Sequence, residues 1–440
     1  MNRQLFGVLL AGAVVAVVAA GFVVARSSRQ NALLGPLSTI SLDQFQPSAR
    51  KVVSEMIDNV KQQPLRADRW GELGYALAGN GADKEATVCF ARAEELEPDN
   101  YRWPHLLAYL TMKVDRPAAI AALKRAMKIN PNIVPTIGML AEAYLEDGAD
   151  KEADALLRPR ITDKTNDQRL LFEMARIEAN AGAVDKAIAL AERAASAPLR
   201  RREIHHLLAQ LYQRKGDAAA ARRQTRLLEL LPPSDEQSSW PDAVAFQSAK
   251  YARGVGAMAF QARQLTAQGR LEEAVQLLEQ TTPEERASPS SAASLAIAKA
   301  HLEQFKEAEQ ILNAVEAKDD PNILFASGVV ASLQGRYAEA AEHYQRLAAS
   351  APSGARSKFA DGAFVNQGLC FLALKKEDDA MTAFEKALKL NPGNVEAIQG
   401  LAQLYLKKNR KGDAARILND AALLEPDDET IKELQKQAAG

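Results

Sequence analysis

Histidine and cysteine are the side chains of this chain best suited to metal binding or nucleophilic chemistry. The chain has five histidines and two cysteines: His105, His205, His206, His301, His343, Cys89 and Cys370. No histidine has a cysteine, a carboxylate pair or a second histidine at the spacing that metal ligands need. A phosphate-binding glycine loop and a nucleophile motif are also missing from the sequence. We therefore predict no catalytic residue, no metal site and no cofactor, and hence a chain that is not an enzyme.

One stretch of the sequence is strongly basic and could attract an anionic partner. Its basic residues, set against only Glu203 and Asp217, are Arg200, Arg201, Arg202, Arg214, Lys215, Arg222, Arg223 and Arg226. The run lacks a recognised nucleic-acid module, and the whole chain has 55 basic and 56 acidic residues, a formal net charge of -1. Nucleic acid is therefore not expected as a partner. A solvated helix surface is the simplest interpretation, and an anionic lipid or an acidic protein is the alternative.

The N-terminal segment is an apolar run that indicates a membrane. Residues 5–25 are uncharged, with Arg3 before them and Arg26 and Arg29 after them. As a helix the run would reach roughly 31 Å, which matches a hydrocarbon core of about 30 Å. Residues 1–30 are thus predicted to be a single-pass anchor, with the rest of the chain outside the cytoplasm, in a periplasm. The small residues that end the run leave a cleaved signal segment and secretion as the alternative.

The elements that follow are predicted from a recurring helical pattern, which is nearly complete in its first copy. Its residues, spaced three or four apart on each of two helices, are Trp70, Leu73, Gly74, Leu77, Ala86, Phe90 and Ala93. The break at residues 79–81 separates the two helices, and Pro98 ends the second. Small Gly74 and Ala86 let the helices approach closely, beside Trp70 and Phe90. The pattern therefore predicts a helical hairpin.

This pattern resembles the tetratricopeptide repeat. With a window of about 34 residues it recurs ten times, with the sixth and seventh copies degenerate but in phase. The resemblance implies an all-α fold, an α-solenoid of about ten helical hairpins in a right-handed superhelix. The signature residues are then packing positions, and Cys89 and Cys370, in the first and ninth copies, are expected to be two buried thiols.

The repeats also predict how the chain is divided. The predicted segments are a linker at 31–46, an N-terminal capping helix at 47–66, repeats one to five at 67–235, an insertion at 236–254, repeats six to ten at 255–428, and a C-terminal capping helix at 429–440. The insertion either bends the array between two blocks or lengthens the first helix of the sixth repeat. The sequence leaves both alternatives open.

A binding groove follows from the resemblance, because in that family the second, fifth, ninth, twelfth and thirteenth positions of each repeat line the inner face. The candidate residues in repeats four to nine are Arg169, Phe172, Arg176, Asn180, Gln210, Arg214, Arg263, Ile297, Phe325, Val329, Leu333, Leu369 and Leu372. Val365 and His206 also fall on groove positions, whereas neighbouring His205 is expected to pack inward. The groove is thus predicted to change from basic to apolar, and to fit an extended peptide with acidic residues followed by apolar ones.

These patterns together favour a non-enzymatic scaffold or adaptor that binds proteins or peptides at a cell envelope. The composition, 47% hydrophobic and only 6% aromatic, is typical of a helical array. The alternative is a regulatory or substrate-selecting subunit of a separately encoded enzyme or assembly machine. The identity of the partner is left open.

Overall fold

The computed structural model describes residues 34–232, 240–350 and 360–440, and these residues form helices and connecting turns without a strand. The α-helices are α1 (Pro47–Gln62), α2 (Ala67–Gly79), α3 (Asp83–Leu96), α4 (Arg102–Thr111), α5 (Arg116–Ile129), α6 (Val134–Glu146), α7 (Asp150–Leu157), α8 (Gln168–Asn180), α9 (Val184–Ala195), α10 (Arg202–Lys215), α11 (Ala218–Leu230), α12 (Val255–Ala267), α13 (Leu271–Glu279), α14 (Pro283–Arg286), α15 (Pro289–His301), α16 (Phe305–Ala314), α17 (Pro321–Leu333), α18 (Tyr337–Ser350), α19 (Ala360–Ala373), α20 (Glu377–Leu390), α21 (Val395–Lys407), α22 (Lys411–Leu424) and α23 (Glu429–Ala439). Short 3-10 turns occur at Gly35–Thr39, Leu42–Gln44, Arg158–Arg160 and Ala245–Tyr251.

The helices follow one another as ten pairs, each with a first and a second helix, and the predicted all-α solenoid is confirmed. Nine of these pairs pack as hairpins: α2 and α3, α4 and α5, α8 and α9, α10 and α11, α12 and α13, α15 and α16, α17 and α18, α19 and α20, and α21 and α22. The remaining pair is α6 and α7. A single helix, α1, lies against the first hairpin, and α23 lies against the last. Such stacking buries the apolar face that an isolated hairpin would expose.

The chain divides into two compact units. Of the described residues, one unit contains 34–143 and 241–254, and the other contains 144–232, 240, 255–350 and 360–440. Residues 241–254 therefore pack with the first repeats, although they follow the fifth repeat in the sequence. The first helix of the sixth repeat begins only at Val255, so the preceding stretch does not lengthen it.

Close approach of the two helices within a hairpin depends on glycine opposite an aromatic ring. Trp70 and Phe90 are buried in the first repeat, and a Cβ atom added to Gly74 would lie 2.6 Å from the Phe90 ring. The eighth repeat has the same arrangement, with 2.6 Å between the Cβ position of Gly328 and the Tyr344 ring. The predicted role of Gly74 is thus borne out, since a side chain at these positions would overlap the ring.

Gly328→Ala is expected to lower the free energy of unfolding by about 1 to 3 kcal/mol, because the added methyl group must displace the buried Tyr344 ring. Chemical denaturation measures this loss. Gly256→Ala, in the first turn of α12, is the matched control because its Cβ position has no neighbouring atom within 4 Å. Equal stability of the two variants would contradict the packing argument.

No α-helix within residues 34–232, 240–350 and 360–440 is both long and apolar enough to cross a membrane. The predicted anchor at residues 5–25 lies outside the described residues. The superhelical handedness and the predicted segment boundaries stay predictions.

Candidate protein-binding surface

The predicted groove residues all lie on the first helices of the repeats. We call the surface that the first helices of a set of repeats form the first-helix face of those repeats. Arg169, Phe172, Arg176 and Asn180 are on α8, Gln210 and Arg214 on α10, Arg263 on α12, Ile297 on α15, Phe325, Val329 and Leu333 on α17, and Leu369 and Leu372 on α19. First helices place these residues on successive hairpins of the same compact unit. Their surroundings differ strongly, however, from one end of the series to the other.

At repeat four, Trp240 covers part of the first-helix face. Its ring lies 5.8 Å from the ring of Phe172, and the guanidinium groups of Arg201 and Arg169 lie 4.0 and 5.9 Å from its centroid. Arg169 and Phe172 are consequently only 9% and 8% exposed. Sequence reasoning missed this contact, because no pattern in the sequence links the insertion to α8.

The positive charge predicted for repeats four to six is balanced by nearby acidic and carbonyl groups. Arg176 donates a hydrogen bond to the buried carboxylate of Glu173 at 2.7 Å. Arg214 donates to the Ala179 carbonyl oxygen at 3.1 Å. The prediction considered only groove positions and therefore omitted Glu173, which lies about one helical turn before Arg176. The predicted basic end is therefore a mixed polar surface.

Three of the predicted residues do meet at one cavity between repeats four and five. Its volume is about 480 Å³, and Phe172, Arg176 and Gln210 line it together with His206. His206 is exposed at this cavity, whereas His205 is buried, as expected from their phase on the helix. Burial lowers the pKa of His205, although its hydrogen bond to Gln224 partly offsets this effect. The cavity combines an aromatic wall with a guanidinium group and an amide.

Arg263 and Asn180 are also tied to neighbouring repeats. Asn180 donates to the Asp150 carboxylate, 3.2 Å from one oxygen. Arg263 donates to the Ser294 hydroxyl at 3.3 Å, and burial lowers the pKa of its guanidinium group. Both side chains therefore help to join adjacent hairpins.

The apolar end of the series leaves large side chains in solvent. Leu333 is 42% exposed and Leu369 is 39% exposed. The neighbouring predicted residues are partly buried: Ile297, Phe325, Val329 and Leu372. Val365 is only 2% exposed and belongs to the core of repeats nine and ten, so its predicted place in the groove is wrong. The exposed leucines thus form the apolar part of the surface.

The basic run at 200–226 is divided among structural contacts. Arg200 donates to the Leu423 carbonyl oxygen at 3.1 Å, and Arg202 donates to that of Leu231 at 2.8 Å. Arg226 forms two hydrogen bonds to the carboxylate of Asp420, which raises the pKa of the guanidinium group. Several basic side chains of the run therefore join helices to one another, and the run does not form a single basic surface.

Titratable groups near the first repeats are also structural. His105 is fully buried; its Nε2 donates to the Asp242 carboxylate at 2.8 Å, and its Nδ1 lies 2.9 Å from the Thr136 hydroxyl. The Cys89 thiol is buried, and this burial raises its pKa to about 12. Within the ranges that the structure describes, no three histidine, cysteine or carboxylate side chains are grouped as metal ligands would be.

Comparison with known proteins agrees with this architecture. The sequence profile of the tetratricopeptide repeat family matches residues 265–329 and 371–438. The chain contains tetratricopeptide repeats. The matched ranges fall in repeats six to eight and nine to ten, within the segment where the hairpins above were identified.

Known proteins that share these repeats resemble only parts of the chain or resemble it distantly. The interferon-induced protein with tetratricopeptide repeats 3 of Mus musculus is 26% identical over 170 residues, which cover 36% of this chain and 42% of the relative. Sperm-associated antigen 1 of Mus musculus is 28% identical over 136 residues, or 30% of this chain and 14% of the relative. The chain thus spans less than half of either relative. A crystal structure of PilW, a type IV pilus biogenesis factor, covers 41% of this chain and 84% of its own, with 18% identity and a TM-score of 0.36.

Proposed function

We propose that the chain is a non-enzymatic scaffold that binds a protein or peptide partner on the first-helix face of repeats four to nine. Tetratricopeptide repeats act in protein–protein interaction, and repeat arrays present extended surfaces for that purpose. The proposal depends chiefly on one observation, the exposure of Leu333 and Leu369 on the first helices of adjacent repeats. Exposed apolar side chains on adjacent repeats are suited to burial by a partner.

The chemistry of the partner follows from the surface. Burial of apolar side chains of the partner against Leu333 and Leu369 would supply much of the binding energy, because removal of apolar surface from water drives most protein association. At the other end, the cavity is lined by Gln210, by Arg176, which is paired with Glu173, and by Arg202 and Glu203, so that it offers mixed polar groups to a polar side chain, a carboxylate or a backbone carbonyl. We therefore propose a segment with an acidic or polar part followed by an apolar part.

We propose a cell envelope as the place of action, with the repeats outside the cytoplasm. The support is the uncharged run at residues 5–25, whose length as a helix matches a bilayer. Labelling with a membrane-impermeant reagent at an engineered cysteine in the repeats, in intact cells and in lysed cells, tests the orientation. Labelling only after lysis would overturn it.

Leu333→Glu and Leu369→Glu are expected to weaken partner capture by about tenfold or more each, as for residues central to an interface. The measurement uses a photoreactive amino acid in place of Arg176 in the full chain. Crosslinking is carried out in membranes of the source cell, and mass spectrometry identifies the captured protein. Tyr337→Glu is the matched control, since Tyr337 is 37% exposed on the second helix of repeat eight. Capture that is insensitive to both leucine changes, or as sensitive to Tyr337→Glu, would exclude this face as the binding surface.

A further inference from the structure

The segment Pro241–Gly254 packs on the first helices of repeats one and two, as a bound peptide would. Its 3-10 turn, Ala245–Tyr251, lies against α2. The segment has few apolar contacts of its own: Phe246 is 62% exposed, and only small Ala245 and Ala252 are buried among its apolar residues. Its position therefore depends on contacts with the repeats.

Asn80, which follows α2, holds the backbone of the segment with both ends of its amide. The Asn80 Nδ2 donates to the Tyr251 carbonyl oxygen at 2.9 Å, and Oδ1 accepts a hydrogen bond from the Arg253 N–H at 2.9 Å. These two bonds recognise a peptide backbone without regard to its side chains. An asparagine used in this way is suited to any extended segment that presents a carbonyl and an N–H at this spacing.

Two further contacts fix the segment beside Asn80. The rings of Tyr75 and Tyr251 are stacked, with centroids 6.3 Å apart and planes 3° apart. Gly79 gives room for the backbone, because a Cβ atom at Gly79 would lie only 2.3 Å from the Ser248 carbonyl oxygen. The site thus provides an aromatic platform and a gap next to the amide of Asn80.

The other end of the segment is anchored by an acidic side chain. The Asp242 carboxylate accepts hydrogen bonds from His105 Nε2 at 2.8 Å and from the N–H groups of Val244 and Ala245 at 2.9 and 3.0 Å. His105 lies on α4, and its other ring nitrogen is next to Thr136 on α6. A buried imidazole oriented by a hydroxyl is a specific site for one carboxylate.

We propose that the first-helix face of repeats one and two is a second peptide-binding site, closed in this structure by residues 241–254 acting as an intramolecular ligand. The partner that competes with them is a protein segment with the same chemistry: an aspartate or glutamate for His105, and nine residues later an aromatic residue for Tyr75, with its backbone free to pair with Asn80. Binding of this partner displaces residues 241–254. The site is separate from the face of repeats four to nine and does not depend on a partner there.

The experiment measures binding of a fluorescently labelled synthetic peptide of residues 241–254 to the full chain by anisotropy. The release variants are Tyr251→Ala and a chain in which residues 242–251 are replaced by the same number of glycines and serines. Both leave the site on the repeats unchanged. We expect weak binding to the unaltered chain and binding at least about tenfold tighter to the replaced chain, with Tyr251→Ala between them.

A second change tests the site itself. Gly79→Ala in the replaced chain is expected to abolish binding, since the new Cβ atom occupies the space of the Ser248 carbonyl oxygen. Gly256→Ala in the same chain, where the Cβ position is open, is expected to leave binding unchanged. A peptide carrying Asp242→Ala is expected to bind at least about tenfold more weakly than the natural one.

Two results would overturn the proposal. One is a release variant that retains its helical circular dichroism and yet binds the peptide no more tightly than the unaltered chain. The other is binding that Gly79→Ala does not reduce. If the replaced chain loses its helical signal, Tyr251→Ala, which removes only a ring from the segment, decides the question. Capture through Leu333 and Leu369 is measured separately, so that failure of one site is distinguishable from failure of the other.

Discussion

Phe384→Ala is expected to lower the free energy of unfolding of the last repeats by about 3 to 5 kcal/mol, the range for truncating a buried phenylalanine. Phe384 is fully buried in the core of repeats nine and ten. Cβ positions at Gly368 and Gly400, on the first helices of these two repeats, would each lie 2.7 Å from its ring. One ring thus fills the space that two helices leave for it, and its removal creates a cavity between them.

The effect should be local, because repeats in a solenoid contact mainly their neighbours. Hydrogen exchange followed by mass spectrometry is therefore the appropriate measurement, with lost protection expected in α19–α22 and little change in α2–α5. Phe246→Ala is the control, since Phe246 is 62% exposed and its truncation should change stability by less than about 0.5 kcal/mol. A loss below about 1 kcal/mol for Phe384→Ala would contradict the packing described for this ring.

Asp242→Ala is expected to cost up to about 3 to 5 kcal/mol, because it leaves the buried imidazole of His105 without its carboxylate. This loss cannot exceed the free energy that holds residues 241–254 on the repeats, because once they are released water can reach His105. Increased hydrogen exchange in Ala245–Tyr251 and in the neighbouring turns of α2 and α4 is the expected signature. Asp43→Ala is the matched control, since the Asp43 side chain is 94% exposed and lies 3.9 Å from Arg50. Unchanged exchange in Asp242→Ala would refute this account of the docking.

The same contact predicts a pH dependence. Burial raises the pKa of Asp242, but the hydrogen bond and charge of His105 and the N–H groups of Val244 and Ala245 outweigh it, so its pKa is lower than usual. A lowered carboxyl pKa stabilises the docked state above the ordinary aspartate value of about 3.9. This stabilisation is lost as the pH falls through the lowered pKa. Exchange in Ala245–Tyr251, corrected for intrinsic rates, should therefore rise below about pH 4, and protection retained under more acidic conditions would contradict the prediction.

The candidate surface could be predicted only in part. Positions on first helices follow from the repeat, so the sequence placed Leu333 and Leu369 on one kind of helix, and the structure leaves both exposed. The same rule placed Val365 there, but its side chain packs in the core. A position in a repeat determines the direction of a side chain approximately. Whether a neighbouring helix covers it depends on local packing distances.

The sequence by itself determined the helical hairpins, their number and the residues that fill them. This was possible because each hairpin is specified by contacts within about 34 residues, where periodic apolar and small residues decide which faces meet. Phe90 beside Gly74 and Tyr344 beside Gly328 are examples of such short-range packing.

Only the tertiary structure decided where the insertion lies. Asp242 meets His105 across 137 residues of sequence, and Asn80 binds the backbone of Tyr251 across 171. No sequence pattern indicates that Trp240 covers Phe172 either. These contacts consist of a few hydrogen bonds and ring contacts between groups that have no sequence period in common. The groups that make these contacts come together only after the repeats have stacked. The position of residues 241–254 therefore depends on the assembled surface and cannot be predicted from a local sequence pattern.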